Sequence, residues 1–234
     1  NRNEYKMCIS FEHCKFGSKG IDVDGPAYSV GELTQSRLKS YVYIYYARML
    51  SIRDCVINYA ITGNSNNCYG IYCYFPEILH VEDVKVYSPL SYSSYSYCPL
   101  CLSENSDDGI ECVIRNVSQE LIFNGTYEYI PSLIRVSGYL NAKISNISIN
   151  MGSRALSGVR PANLYIQNNL IYFSYMRDFT VSDITVNIPR CWRCTTPAVG
   201  LYDCYSSNYV PGIEKDVRNI TINFCESEEN AIGS

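Results

Sequence analysis

The stretch Val217-Arg218-Asn219-Ile220-Thr221-Ile222-Asn223-Phe224 alternates apolar and polar residues on either side of one asparagine. The same phrase returns as Val181-Ser182-Asp183-Ile184-Thr185-Val186-Asn187-Ile188 and as Ile144-Ser145-Asn146-Ile147-Ser148-Ile149-Asn150-Met151. Shorter copies are Ile114-Arg115-Asn116-Val117, Val81-Glu82-Asp83-Val84-Lys85-Val86 and Ile52-Arg53-Asp54-Cys55-Val56-Ile57. A worn copy, Phe11-Glu12-His13-Cys14-Lys15-Phe16, precedes them. The central residue falls at positions 13, 54, 83, 116, 146, 183 and 219, with spacings of 41, 29, 33, 30, 37 and 36 residues. A unit recurring at this period marks a solenoid or a related array.

The positions two before and one, three and five after the central residue are mostly apolar, although Ser18 and Ser88 break the last of these. Such alternation is a strand with one buried face. The central residue shifts the alternation by one, so the apolar face changes parity there and the strand must turn a corner. Asn and Asp tolerate the left-handed backbone that a one-residue corner needs. Asp54, Asp83, Asn116, Asn146, Asp183 and Asn219 are therefore read as a ladder of bend residues, with His13 in the worn copy. Each unit becomes strand, bend, strand and a longer return loop. Stacked units place equivalent strands in parallel, about 4.8 Å apart.

In this phrase and its corner ladder the chain resembles the right-handed parallel β-helices of the pectate-lyase-like superfamily, which often carry stacked Asn residues at a bend. The resemblance spans nearly the whole chain. It implies an all-β protein, a single solenoid domain over residues 1–234 with about seven coils. Residues 27–40 are the least regular stretch and fit a loop or a cap.

The 234 residues carry a net charge of −4 without a basic run, which argues against a nucleic-acid surface. No apolar run of 18 residues occurs, so no membrane span is expected. Twelve cysteines point to an oxidising compartment, with hyperthermophiles the exception. The chain starts at Asn1 with neither Met nor an apolar leader, which reads as a mature or excised segment. An extracellular, cell-surface or virion-surface location is the expectation. Tyr, present 23 times, crowds the loops together with Ser, as in Tyr92-Ser93-Ser94-Tyr95-Ser96-Tyr97.

Cys98–Cys101 and Cys191–Cys194 form two CxxC motifs. A shared zinc is disfavoured, because nearly three coils, about 14 Å of stacking, separate them. Disulfides that staple the loops are favoured. Cys68 with Cys98 and Cys73 with Cys101 lie about one coil apart, and Cys191 or Cys194 pairs with Cys204 or Cys225. Cys14, Cys55 and Cys112 take inward positions, where cysteine serves as a small apolar residue. Four Asn-X-Ser/Thr sequons occur, at Asn116, Asn124, Asn146 and Asn219. Three of these asparagines are bend residues, and if their side chains point inward they cannot carry a glycan. Asn124, before Gly125, is the one backed for N-glycosylation.

His13 sits at a bend and His80 flanks a strand, read as exposed; neither has a nucleophile at recognisable spacing. β-Helix enzymes often cleave glycans, and an inverting hydrolase needs carboxylates about 6.5–9.5 Å apart. Asp22 with Asp24, which alternate about 7 Å apart on one strand face, and Asp107 with Asp108 are weak candidates. Asp beside Gly is also common in turns for local reasons. The Asn-Thr-Asp and Gly-His-Gly motifs of the polygalacturonases are absent. No metal or cofactor is implied. Two functions are therefore weighed. One is a structural, non-enzymatic subunit of an extracellular filament, appendage or coat, self-associating through its ends or continuing into further coils. The other is a carbohydrate-active enzyme or a tailspike-like glycan-binding adhesin, with exposed Tyr and Trp192 stacking on sugars.

Overall fold

A computed structural model describes residues 8–17, 38–44, 47–58, 67–73, 76–89, 96–102, 109–122, 129–151, 165–166, 168–189, 193–194, 196–202 and 215–225. These residues form fifteen strands. In order they are β1 (Cys8–Glu12), β2 (Lys15–Gly17), β3 (Leu38–Ile44), β4 (Ala47–Arg53), β5 (Val56–Asn58), β6 (Asn67–Cys73), β7 (Pro76–Pro89) and β8 (Ser96–Leu102). Then come β9 (Gly109–Ile122), β10 (Ile134–Met151), β11 (Tyr165–Ile166), β12 (Ile171–Pro189), β13 (Arg193–Cys194), β14 (Val199–Tyr202) and β15 (Lys215–Cys225). Thirteen of them share one sheet, β11 and β13 form a small second one, and every pairing is parallel. The fold is an all-β parallel solenoid.

The repeated phrase builds the first wall. Its apolar residues stack as Phe11, Ile52, Val81, Ile114, Ile144, Val181 and Val217, each in register with the next. A second wall stacks Ile44, Cys73, Leu102, Val136, Phe173 and Leu201 against it. Between the walls lies one continuous aliphatic core, and like side chains stacked at strand spacing fill it without gaps. Ser88 and Gln119, two polar interruptions of the apolar rows, answer one another. Gln119 Nε2 donates to Ser88 Oγ at 3.0 Å, and both residues are buried.

The corner is left-handed at His13, Asp54, Asp83, Asn116, Asn146, Asp183 and Asn219, with φ between 49° and 57°. Between the walls the long strands turn again, at Gly138 (φ 84°) in β10 and at Tyr175 (φ 53°) in β12. A glycine takes that conformation freely, whereas a tyrosine there is strained. Just past this second bend the Tyr139 ring enters the core. Its hydroxyl donates to the Pro76 carbonyl at 2.9 Å, crossing the level of β9 to reach that of β7. Gly109 leaves the space for it: a Cβ there would lie 2.5 Å from both the Tyr139 ring and the Gly138 carbonyl.

Two expectations are corrected. The solenoid makes about three turns, not seven. Each copy of the phrase supplies one wall, and a turn also needs the opposite wall and the chain that joins them. Most of those joining segments lie outside the described residues. The stapled loops are also not found. Cys8, Cys14, Cys55, Cys73, Cys98, Cys101 and Cys112 are outside any disulfide. Register explains one of the expected pairs. Cys73 aligns with Leu102 and Cys101 with Tyr72. A one-residue offset puts partners on opposite faces of a strand. Cys191 and Cys204 lie outside the described residues, as do the side chains of Cys68, Cys194 and Cys225. Of the irregular stretch 27–40, residues 38–40 belong to β3 and the rest lies outside the described residues.

Candidate functional site

Corner residues are exposed, so burial does not close their sequons to a glycan, and they bond to one another up the stack. Asn116 Nδ2 donates to Asp83 Oδ1 at 2.8 Å, Asn146 to Asn116 at 2.7 Å, and Asn219 to Asp183 at 2.9 Å. His13 Nδ1 bonds Asp54 Oδ2. The three sequon nitrogens Asn116, Asn146 and Asn219 are therefore already donors in the ladder, which a glycan on Nδ2 would disrupt. A second ladder joins Asn223 to Asn187 and Asn187 to Asn150, each at 2.8 Å. Its signal was present in the sequence, since the three longest copies of the phrase all carry Asn four residues after the corner.

The ladder makes one corner sensitive to acid. Asp183 accepts bonds from Asn219 and from Ser182 Oγ, and these hold its carboxyl below the ordinary value of 3.8. A depressed folded-state value contributes stability above the unfolded carboxylate range and loses it as pH falls through that range and below. Asp183→Asn should therefore be less stable than the parent at about pH 6, with the gap closing toward about pH 3. Urea midpoints of both proteins at the two pH values measure this. A gap that stays constant contradicts it.

Outside the first wall, Arg53, His80, Glu82, Glu111 and Arg115 form a network. Arg115 Nη2 donates to Glu82 Oε2 at 2.7 Å, and Arg53 approaches Glu82 Oε1 at 3.8 Å. Arg53 also reaches His80 Nδ1 at 3.5 Å, while His80 Nε2 lies 3.2 Å from Glu111. Arginine can only donate, so Nδ1 accepts and Nε2 carries the proton shared with Glu111. His80 is thus a half-buried strand residue within a network, not the exposed flanking residue expected. With Glu82 shared between two guanidinium groups, this is a cross-level ionic clamp.

A second outer feature is aromatic. The Tyr172 and Tyr202 rings stack with centroids 5.2 Å apart, and Arg135 lies 5.1 Å over Tyr172. Asn169 Nδ2 bonds both the Pro197 carbonyl and Tyr202 Oη, fixing the ring from beneath. Gly200 is required there, because a Cβ would lie 2.3 Å from the Tyr202 ring.

The third feature is the edge of the sheet. Among the described residues β15 pairs only with β12. Its core positions Val217 and Ile222 are 46% and 40% exposed, whereas the stacked equivalents Val181 and Val186 are fully buried. Among the described residues, an exposed apolar row and a strand edge with no further partner occur together here.

The structure does not bring the weak catalytic candidates into view. Asp22, Asp24, Asp107, Asp108 and the glycan candidate Asn124 lie outside the described residues, as do Trp192 and residues 92–95 of the Tyr-rich run. Cys98 and Cys101 stand at odd separation on β8, so they face opposite sides and do not converge on a metal. Among the described residues no cluster of His, Cys, Asp and Glu could hold a metal ion, and no helix is long and apolar enough to cross a membrane. By fold and surface the chain is a parallel β-solenoid with bonded corner ladders and, among the described residues, an apolar edge without a further strand on it. Compared with known proteins, it matches no family model, no curated protein and no solved structure.

Proposed function

We propose that this chain is a structural subunit of an extracellular filament, appendage or coat, whose copies join through the solenoid ends and the Tyr-rich loops. The uncovered edge of β15 carries the reading. Strand edges with exposed apolar rows are normally covered, and at a solenoid end either a cap or a further level does so. A second copy fits. Continuing the observed register, β1 and β2 of the next copy would set Phe11 against Val217 and Phe16 against Ile222. Glu12 would meet Arg218, and His13 would extend the ladder beside Asn219. Such head-to-tail contact does not close and so propagates. Right-handed winding, as parallel crossover connections favour, and kinship with the pectate-lyase-like β-helices belong to the same proposal.

Electron microscopy in negative stain and sedimentation velocity over a concentration series test it. The expected result is rods that lengthen with concentration. A monomer at every concentration overturns it. The stacked Tyr172–Tyr202 face favours a second reading, a glycan-binding adhesin or a carbohydrate-active enzyme, since sugars stack on such rings. A monomer that retains a polysaccharide, and loses it in Tyr202→Ala, would support that reading instead.

A further inference from the structure

The first corner of the solenoid holds two thiols that no feature above uses. Cys14 follows the corner residue His13, and Cys55 follows the corner residue Asp54. They are neighbours in the ladder: Val56 N donates to the Cys14 carbonyl at 2.9 Å, and Lys15 registers with Val56. Adjacent strands lie about 4.8 Å apart, within the Cα separations of about 4.4–6.8 Å that a disulfide spans. The sulfurs also share the corner. Cys55 Sγ lies 3.4 Å from the carbonyl oxygen of Phe11, on the neighbouring level, and Cys14 Sγ lies 3.4 Å from that of Glu12. Cys55 Sγ also lies 3.1 Å from the carbonyl oxygen of Arg53 on its own strand, so the thiol sits between its own level and that of Cys14. At the same position the other levels carry Val84, Val117, Ile147, Ile184 and Ile220, so only this end has two thiols stacked there.

We propose that Cys14 and Cys55 form a disulfide that staples β1 and β2 to β4 and β5. The oxidant is a low-molecular-weight disulfide of the glutathione class. Cys14, the half-exposed member, attacks it as the thiolate, forms a mixed disulfide and expels one small thiolate. Cys55 then attacks the Cys14 sulfur, closing the Cys14–Cys55 bond and releasing the second small thiolate. Two electrons pass to the oxidant, and the two cysteine protons end on the two released thiols. Burial pushes the Cys55 thiol up to about 11, so the more accessible Cys14 is the member that reacts first with the oxidant.

The staple stands where packing is weakest. Ile9 and Phe11 of β1 are only partly buried, whereas Leu50 and Ile52 of β4 are fully buried. Among the described residues β1 has β4 as its one neighbour. The bond would close 41 residues of chain at that end, limiting the freedom of the unfolded state.

The test uses the intact chain, incubated natively in reduced and oxidised glutathione, then alkylated and digested without reduction. Peptide mass spectrometry should find the Cys14 and Cys55 peptides joined, separating on reduction. The oxidised chain should melt several degrees above the reduced one, and Cys14→Ser should abolish that difference. Recovery of both cysteines alkylated after oxidation overturns the proposal, as does either one joined to Cys8 or to another cysteine. Because the joined peptide is read in the unmodified protein, the result does not depend on how a variant folds.

Discussion

Tyr139→Ala should lower folding stability by about 3–5 kcal/mol, the range for removing a large aromatic ring from a packed core. Tyr139 is 1% exposed, and its ring fills the space left by Gly109. The walls beside that space are strand backbone, held by ladder hydrogen bonds to the levels above and below, so they cannot collapse inward. The cavity term is therefore kept nearly whole. The hydroxyl adds a second loss, because its bond to the Pro76 carbonyl joins levels that are not neighbours. Tyr139→Phe separates the two contributions. It keeps the ring and leaves one buried carbonyl without its donor, at about 1–2 kcal/mol. Urea unfolding with a common slope measures both variants. A Tyr139→Ala midpoint equal to that of the parent would show that the ring does not bridge these levels.

The double variant Val217→Glu with Ile222→Glu should abolish self-association while leaving the subunit folded. Both side chains are already substantially exposed, so a carboxylate there stays solvated and costs within about 0.5 kcal/mol of folding stability. In a stacked pair the same positions are interior, equivalent to Val181 and Val186, which are fully buried. Each loses an apolar burial of about 1.5–3 kcal/mol and places a charge in a dry seam. Association should weaken by at least about 100-fold, read as a shift in sedimentation from rods to monomer. Rods that persist in the double variant would place the assembly contact elsewhere. The contrast with Tyr139 is informative, since one residue holds the levels of a chain together and the others join one chain to the next.

Much of the scaffold was legible because its code is local. One Asn or Asp shifts the alternation by a residue, the backbone there turns left-handed, and every copy must obey the same sterics. The rows of Ile and Val followed from that parity, and so did the stacking of the corners. The Asn150–Asn187–Asn223 ladder was equally legible, from Asn recurring at a fixed place in the phrase. The cysteine pairs were less so. Counting residues between Cys73 and Cys101 measures chain length, while pairing depends on register, and the loops between levels absorb the difference. His80 likewise looked free because its partners Arg53 and Glu111 belong to other levels.

By itself the sequence determined the strand phrase, the corner conformation and the all-β solenoid class, because each rests on the chemistry of neighbouring residues in one chain segment. Only the tertiary structure decided which residues meet across levels: Tyr139 with Pro76, Glu82 with two arginines, Tyr172 with Tyr202, and Cys55 with the first corner. It also decided which apolar row is left uncovered. Val217 and Ile222 read no differently from Val181 and Val186 in sequence, and only their position on the outer edge of the sheet makes them a surface.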